Sequence, residues 1–259
     1  MSPLVFLGAN GFPSKAYRPV LQRLSAIPIE YNHALVPGES TNWHPLIDTV
    51  ISQCEAAAGS SGKGVTGVGH SAGGALLCCA AAVKPALFEH LIIVDSPMFN
   101  PLKRALFSVG FHLPDAILNR GHPMIKSAMN KQYEWPDRET AEKYFRSRRL
   151  FKTFDDEFVN GFFEHGLVEK EGGGVGLAFE HSQEAHMYKT TPTETPIIGG
   201  KNGILKQYDA VDAKGTFLYS NRMNFLDERD VAFLKGNFTG FQFEAFDNEH
   251  FWPMIDPDS

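Results

Sequence analysis

The sequence predicts an α/β fold, a mostly parallel sheet flanked by helices and interrupted by a long insertion. Three observations carry this. Short apolar runs alternate with runs of helical spacing at both ends of the chain, and a middle stretch from about residue 98 to residue 213 loses that alternation. The 259 residues, 43% hydrophobic and 12% aromatic, suffice for one large core.

In order, "LVFLGANG" (4–11) is an apolar run ending in glycine, followed by "AYRPVLQRLSA" with helical spacing at Val20, Leu21 and Leu24. "IPIEYNHAL" (27–35) reads as the next strand, and "WHPLIDTVISQCEAAA" as a helix with apolar residues at 46, 47, 50 and 51. "GVTGVGH" then leads into a helix over about 72–84, and "HLIIVDSP" (90–97) follows as a strand. The insertion reads as helical and rich in Phe, broken by Pro114, Pro123 and Pro136, with a Gly-rich turn at "EGGGVG" (171–176). Its clearest helix lies in "WPDRETAEKYFRSRRLF" with Asp137 as N-cap, and a shorter one in "TFDDEFVNGFFEHGL". Alternation resumes with "GTFLYS" (215–220), a helix-like "LDERDVAFLKG" and "FQFEAF" (241–246). The expected division is a core of residues 1–97 and 214–259 with a helical cap insertion over 98–213.

A formal charge of −6 argues against a nucleic-acid partner, and the basic run Arg146 to Arg149 lies between acidic stretches as a solvated helix face. Three cysteines, two of them adjacent, make no disulfide framework. The start "MSPLVFLGANGF" has no basic leader, and no apolar run reaches the roughly 18 residues of a membrane span. The expected location is therefore cytoplasmic.

The stretch "GVTGVGHSAGGALLCCAAA" (64–82) contains Gly69-His70-Ser71-Ala72-Gly73, a G-x-S-x-G between a strand and a helix. That context predicts a nucleophile elbow: Ser71 on a strained turn, glycines where side chains would collide, and a helix N-terminus aimed at whatever binds there. A glycine-rich turn with serine as a helix cap is the plainer alternative.

With these residues the chain resembles the α/β-hydrolase superfamily, in the serine esterase and lipase-like branch with a helical cap. "FLGANGFPSKAYRPVLQRL" is similar to the segment that ends a strand in His-Gly, with Asn10-Gly11-Phe12 in its place. The resemblance implies an oxyanion hole from the Phe12 and Ala72 N–H groups. "DNEHFWPMIDPD" resembles the segment carrying the catalytic histidine, which implies that role for His250. The acid departs from the common pattern. Where it usually follows the penultimate strand, this chain has Met223 and Asn224, while Asp227 and Asp230 look like first-turn residues of a helix. The resemblance offers a second placement after the preceding strand, so Asp95 is expected to orient His250, with Asn224 nearby and Asp227 as the alternative acid. The superfamily's usual two N-terminal edge strands look absent, which would expose "IPIEYNHAL" near an edge and allow homo-oligomerisation.

A serine with a base and an oxyanion hole implies acyl transfer, and no motif suggests a metal, nucleotide or other cofactor. The recurrence of Phe145, Leu150, Phe151, Phe154, Phe158, Phe162 and Phe163 implies packed cap helices, part of which covers an apolar pocket. The expected function is hydrolysis of medium-sized apolar carboxylic esters. A carbon–carbon bond hydrolase, a lactonase and a perhydrolase share the same triad, and a non-catalytic ligand-binding homologue is the remaining alternative. The cap also resembles, loosely, those of lipase-like and toxin-biosynthesis-like hydrolases.

Overall fold

A computed structural model describes residues 2–31, 43–59, 63–111, 122–194, 214–222 and 225–258. Six strands form one sheet in the order β2-β1-β3-β4-β8-β9: β1 (Leu4–Leu7), β2 (Ile27–Ile29), β3 (Val65–His70), β4 (Phe88–Val94), β8 (Lys214–Ser220) and β9 (Phe241–Phe246). Every neighbouring pair is parallel.

Parallel strands need crossovers, and helices on the sheet faces supply them. α1 (Arg18–Leu24) joins β1 to β2, α2 (His44–Ala58) precedes β3, α3 (Ala72–Val83) joins β3 to β4, and α9 (Glu228–Asn237) joins β8 to β9. In α2 the buried residues Leu46, Ile47, Val50 and Cys54 share one face, as the helical period requires. α3 is different: every residue from Ala72 to Ala82 is buried. Its small side chains let it sit at the centre of the molecule, hydrophobic all round.

The strand order reverses between β1 and β3, since β2 lies on one side of β1 and β3, β4, β8 and β9 on the other. At such a switch point the loops leaving the two central strands diverge and open a crevice beyond their carboxyl ends. Ser71 follows β3 and Gly8–Phe12 follows β1, so both predicted site segments flank that crevice.

Between β4 and β8 lie α4 (Pro101–Phe111), α5 (Pro123–Met129), α6 (Arg138–Ser147), α7 (Asp156–Gly166) and α8 (His181–Glu194). Asp137 caps α6, accepting from the Thr140 N–H, and Asp155 caps α7, accepting from the Glu157 and Phe158 N–H groups. The expectation of a purely helical insertion needs correcting. It also holds a three-stranded antiparallel sheet, β5 (Glu134–Trp135), β7 (Val175–Leu177) and β6 (Leu167–Glu169), in the order β5-β7-β6. "EGGGVG" is the turn of its β6–β7 hairpin, with Gly172, Gly173 and Gly174 at φ +94°, +98° and +84°. The strand predicted over 27–35 is likewise ordered as β2 only over 27–29, and residues 32–35 lie outside the described ones.

The insertion is tied to the sheet by an aromatic cluster. Phe145, Phe154, Phe158 and Phe162 are buried together with Phe6, Tyr17 and Val68 of the sheet side. The Phe12 ring meets those of Phe151, Phe154, Phe158 and Phe162 at centroid distances of 5.8–6.3 Å. Gly161 of α7 permits close approach, because a Cβ there would lie 2.8 Å from the Ala16 carbonyl oxygen.

Candidate active site

β3 delivers His70 and α3 starts at Ala72, leaving Ser71 alone in the turn with φ +56° and ψ −125°. Non-glycine residues avoid that backbone region unless the surroundings fix it. Here they do. The Ser71 N–H donates to the Val94 carbonyl at 2.8 Å, and the Ser96 hydroxyl donates to the Ser71 carbonyl at 2.7 Å. A Cβ on Gly73 would run into the carbonyl oxygens of Leu7 and Gly8, and one on Gly69 would lie 2.5 Å from the Gly74 Cα. These two positions are glycine because strand, turn and helix touch there through backbone.

The turn after β9 brings His250 to the same edge, 5% exposed. Its Nε2 lies 3.1 Å from the Ser71 Oγ, and its Nδ1 lies 2.7 Å from the Asp95 Oδ2. Asp95 follows β4 at φ +44° and is 2% exposed. Its N–H donates to the Leu218 carbonyl at 2.8 Å, and its Oδ1 accepts from the Ser220 N–H at 3.1 Å. Burial works to raise the Asp95 pKa, but the hydrogen bonds and charge of His250 and the Ser220 N–H outweigh it, so the carboxyl lies below its ordinary value. An ionised Asp95 only accepts, which puts the imidazole proton on Nδ1 and leaves the Nε2 lone pair facing the Ser71 hydroxyl.

Asp227 goes elsewhere. It is the N-cap of α9, its Oδ1 accepting from the Arg229 and Asp230 N–H groups at 3.0 Å while the Asp230 carboxylate accepts from the Asp227 N–H at 3.1 Å. Asn224, expected nearby, lies outside the described residues, as does Met223.

A second chain of buried hydrogen bonds passes behind the triad-like one. The His70 Nε2 is 2.9 Å from the His250 carbonyl oxygen, which can only accept, so the His70 Nε2 donates. Burial and the nearby His250 ring lower the His70 pKa to about 3, so the ring is neutral and its Nδ1 is an acceptor. The Tyr17 hydroxyl donates to that Nδ1 at 2.9 Å and accepts from the Ala9 N–H at 3.1 Å. Desolvation raises the Tyr17 pKa and keeps the phenol protonated. The direction of every bond from Ala9 to His250 is thereby fixed.

The loop from Ala9 to Phe12 turns tightly: the Phe12 N–H donates to the Ala9 carbonyl at 3.2 Å, and Gly11 has φ +80°. The Phe12 N–H, expected to face the site freely, is thus shared with Ala9 through a bond at the long end of the usual range. The Asn10 Nδ2 donates to the Glu184 carbonyl at 3.0 Å, tying the loop to α8. Ala72 is the first residue of α3, where backbone N–H groups have no partner within the helix.

No protein-family model matches the chain. Two abhydrolase domain-containing proteins of Alternaria alternata are 27% and 28% identical over 130 residues, 48% of this chain and 44% of each relative. The chain therefore matches less than half the length of these curated relatives. Among solved structures, the peroxisomal alpha-beta-hydrolase of Saccharomyces cerevisiae superposes with a TM-score of 0.74 at 18% identity, covering 99% of this chain and 73% of the other. An E-2-(acetamidomethylene)succinate hydrolase superposes with a TM-score of 0.68 at 16% identity, covering 100% of this chain and 88% of the other. The chain has the α/β-hydrolase fold.

In this α/β-hydrolase fold the edge around Ser71 opens into a cavity of about 130 Å³. Asn10, Phe12, Ser71, Ala72 and His250 are among its lining residues, with the apolar Phe99, Phe107, Met124 and Phe225 and the polar His122 and Thr191. A larger cavity of about 450 Å³ adjoins it, and Phe12, Tyr188 and Phe251 line both. Among the described residues no group of three or more His, Cys, Asp or Glu is placed to hold a metal ion, and no helix is long and apolar enough to cross a membrane.

The structure brings Ser71, His250, Asp95, Ala72, Phe12, Asn10 and Gly11 to one edge. Tyr17, Tyr188, Phe225 and Phe251 join them without having been expected, and His70 does more than fill the elbow. The Phe225 ring centroid lies 4.3 Å from that of His250. Only Phe251 carried a usable signal, its adjacency to His250. Tyr17 stands five residues after Phe12, at the start of α1, and Tyr188 reaches the site from α8, far away in the chain.

Proposed function

We propose that this chain is a serine hydrolase acting by acyl transfer on carboxylic esters with a compact apolar acyl group. The continuous arrangement from Asp95 through His250 to Ser71, with separations of 2.7 and 3.1 Å, carries this reading. His250 Nε2 takes the Ser71 proton as the oxygen attacks the ester carbonyl, and Asp95 stabilises the imidazolium that forms. The carbonyl oxygen gains a full negative charge in the tetrahedral intermediate. The Ala72 N–H, at the positive end of α3, is the first donor for it; the Phe12 N–H, lent only weakly to Ala9, is the second. His250 then protonates the departing alcohol, and water releases the acyl group by the same steps in reverse roles.

The small apolar cavity beside Ser71 supports a short or medium acyl chain. Residues 98–213, which supply Phe99, Phe107 and Met124 to its wall, act as a cap in this reading, with 1–97 and 214–259 as the core. The test is hydrolysis of p-nitrophenyl esters from acetate to long acyl chains beside Ser71→Ala. Activity that peaks at short or medium length and vanishes in the variant supports the reading. Equal rates for both proteins at every length would remove it and leave carbon–carbon hydrolysis or ligand binding as the next assays.

A further inference from the structure

The proposed chemistry uses the smaller cavity; the larger one has a composition of its own. Its walls are aromatic, with Tyr144, Phe145, Phe151 and Phe162, and its polar side holds Lys131, Arg148 and Glu184. The Glu184 side chain is only 12% exposed and meets the Lys131 Nζ at 2.6 Å, so these two charges answer one another. Arg148 is different. Its guanidinium carbon lies 4.0 Å from the Tyr144 ring centroid, and among the described residues no carboxylate lies within ion-pair distance of it.

A guanidinium stacked on a ring is held in orientation by its face while its N–H donors project outward from its edges, the geometry that grips a planar anion with two parallel bonds. In a chain of net charge −6 this leaves one exposed cation without a carboxylate partner among the residues that line an aromatic cavity. That cavity meets the nucleophile's at Phe12, Tyr188 and Phe251. Phe251 is the neighbour of His250, whose Nε2 must reach the leaving-group oxygen. With the smaller cavity given to the acyl group in the proposed reaction, the larger one is left for the leaving group.

We propose that the larger cavity binds a planar anion-bearing leaving group, an aromatic carboxylate or its equivalent, with the ring against Tyr144, Phe151 and Phe162 and the anion on Arg148. The substrate class becomes an ester joining a compact apolar acyl group to an anionic aryl alcohol. This rests on the acyl-transfer reading for the reaction but not for the binding.

Binding is measured first, by calorimetric titration of 4-hydroxybenzoate and of its neutral methyl ester into the wild-type chain and Arg148→Gln. The expected result is a preference for the anion in the wild type that falls about tenfold in the variant, the size of effect one charge-assisted bidentate contact gives. An anion-to-ester affinity ratio that is the same in both proteins overturns the proposal. The corresponding acetates, 4-acetoxybenzoate and its methyl ester, are then assayed beside Ser71→Ala. Arg148-dependent anion binding without Ser71-dependent hydrolysis would sustain the cavity assignment and refute the acyl-transfer reading; Ser71-dependent hydrolysis with no Arg148-dependent preference would do the opposite.

Discussion

Replacing Asp95 by Asn tests the site most sharply, because the structure dictates how the new amide must sit. Asp95 Oδ1 accepts from the Ser220 N–H at 3.1 Å while Oδ2 accepts from His250 Nδ1 at 2.7 Å. A backbone N–H cannot donate to an amide NH2, so the Asn oxygen must take the Ser220 side and the NH2 must face His250. The His250 Nδ1 then has to accept, its proton moves to Nε2, and Nε2 points a hydrogen at the Ser71 oxygen instead of a lone pair. The general base is lost by tautomer alone, with side-chain volume nearly unchanged. The same substitution in the serine-protease triad costs about 10⁴ in kcat, and a loss of that order, about 5.5 kcal/mol of barrier, is expected here. Asp95→Ala provides the contrast: it removes the acceptor without imposing the wrong tautomer, so Asn should be at least as damaging as Ala. The assay is p-nitrophenyl butyrate turnover, with near-UV circular dichroism to verify packing. An Asn variant that is folded and within tenfold of wild-type kcat would refute the assignment of Asp95.

Tyr17→Phe leaves the Ala9 N–H and the His70 Nδ1 without partners in a buried place, which should lower stability by about 2–4 kcal/mol in urea unfolding. It should also lower kcat more than it raises KM, since the Ala9–Phe12 turn and the His250 backbone lose their link; a change in KM alone would argue against that link. His70 has its pKa depressed from 6.5 to about 3 by burial and by His250, beside Tyr17 and Asp95. The unfolded chain binds that proton first, so stability from the neutral ring is complete above pH 6.5 and falls by roughly 1.4 kcal/mol per pH unit from there down to about pH 3. His70→Asn should flatten that part of the acid-unfolding profile, and an unchanged slope would exclude His70 as its source. Asp227→Ala should cost about 1 kcal/mol through loss of the α9 cap and leave turnover within twofold, whereas loss of turnover in a folded variant would make Asp227 the acid.

The legible parts of the sequence were those whose cause is local. Asp137 could be read as a cap because the cap, its helix and its acceptor geometry lie within four residues of one another. The small sheet of the insertion leaves no strand pattern in the sequence, because β5 has two residues and β6 and β7 three each, too short for alternation to register. Its hairpin was visible only as three glycines.

Gly69, Ser71 and Gly73 follow from the strand-to-helix pattern alone, since a turn that tight excludes side chains wherever it forms. The identity of the carboxylate facing His250 does not. Asp95 and Asp227 were both available in sequence, and the choice depends on β4 lying beside β8, which puts the Ser220 N–H and His250 on the two oxygens of one carboxylate while α9 claims the other for its own N-terminus. The His70–Tyr17 chain is likewise tertiary, whereas Arg148 and Tyr144 lie four residues apart at the end of α6 and only the cavity they line is tertiary. A hydrogen bond or a ring stack is a relation between positions, and sequence shows such a relation only when the same helix or turn holds both partners.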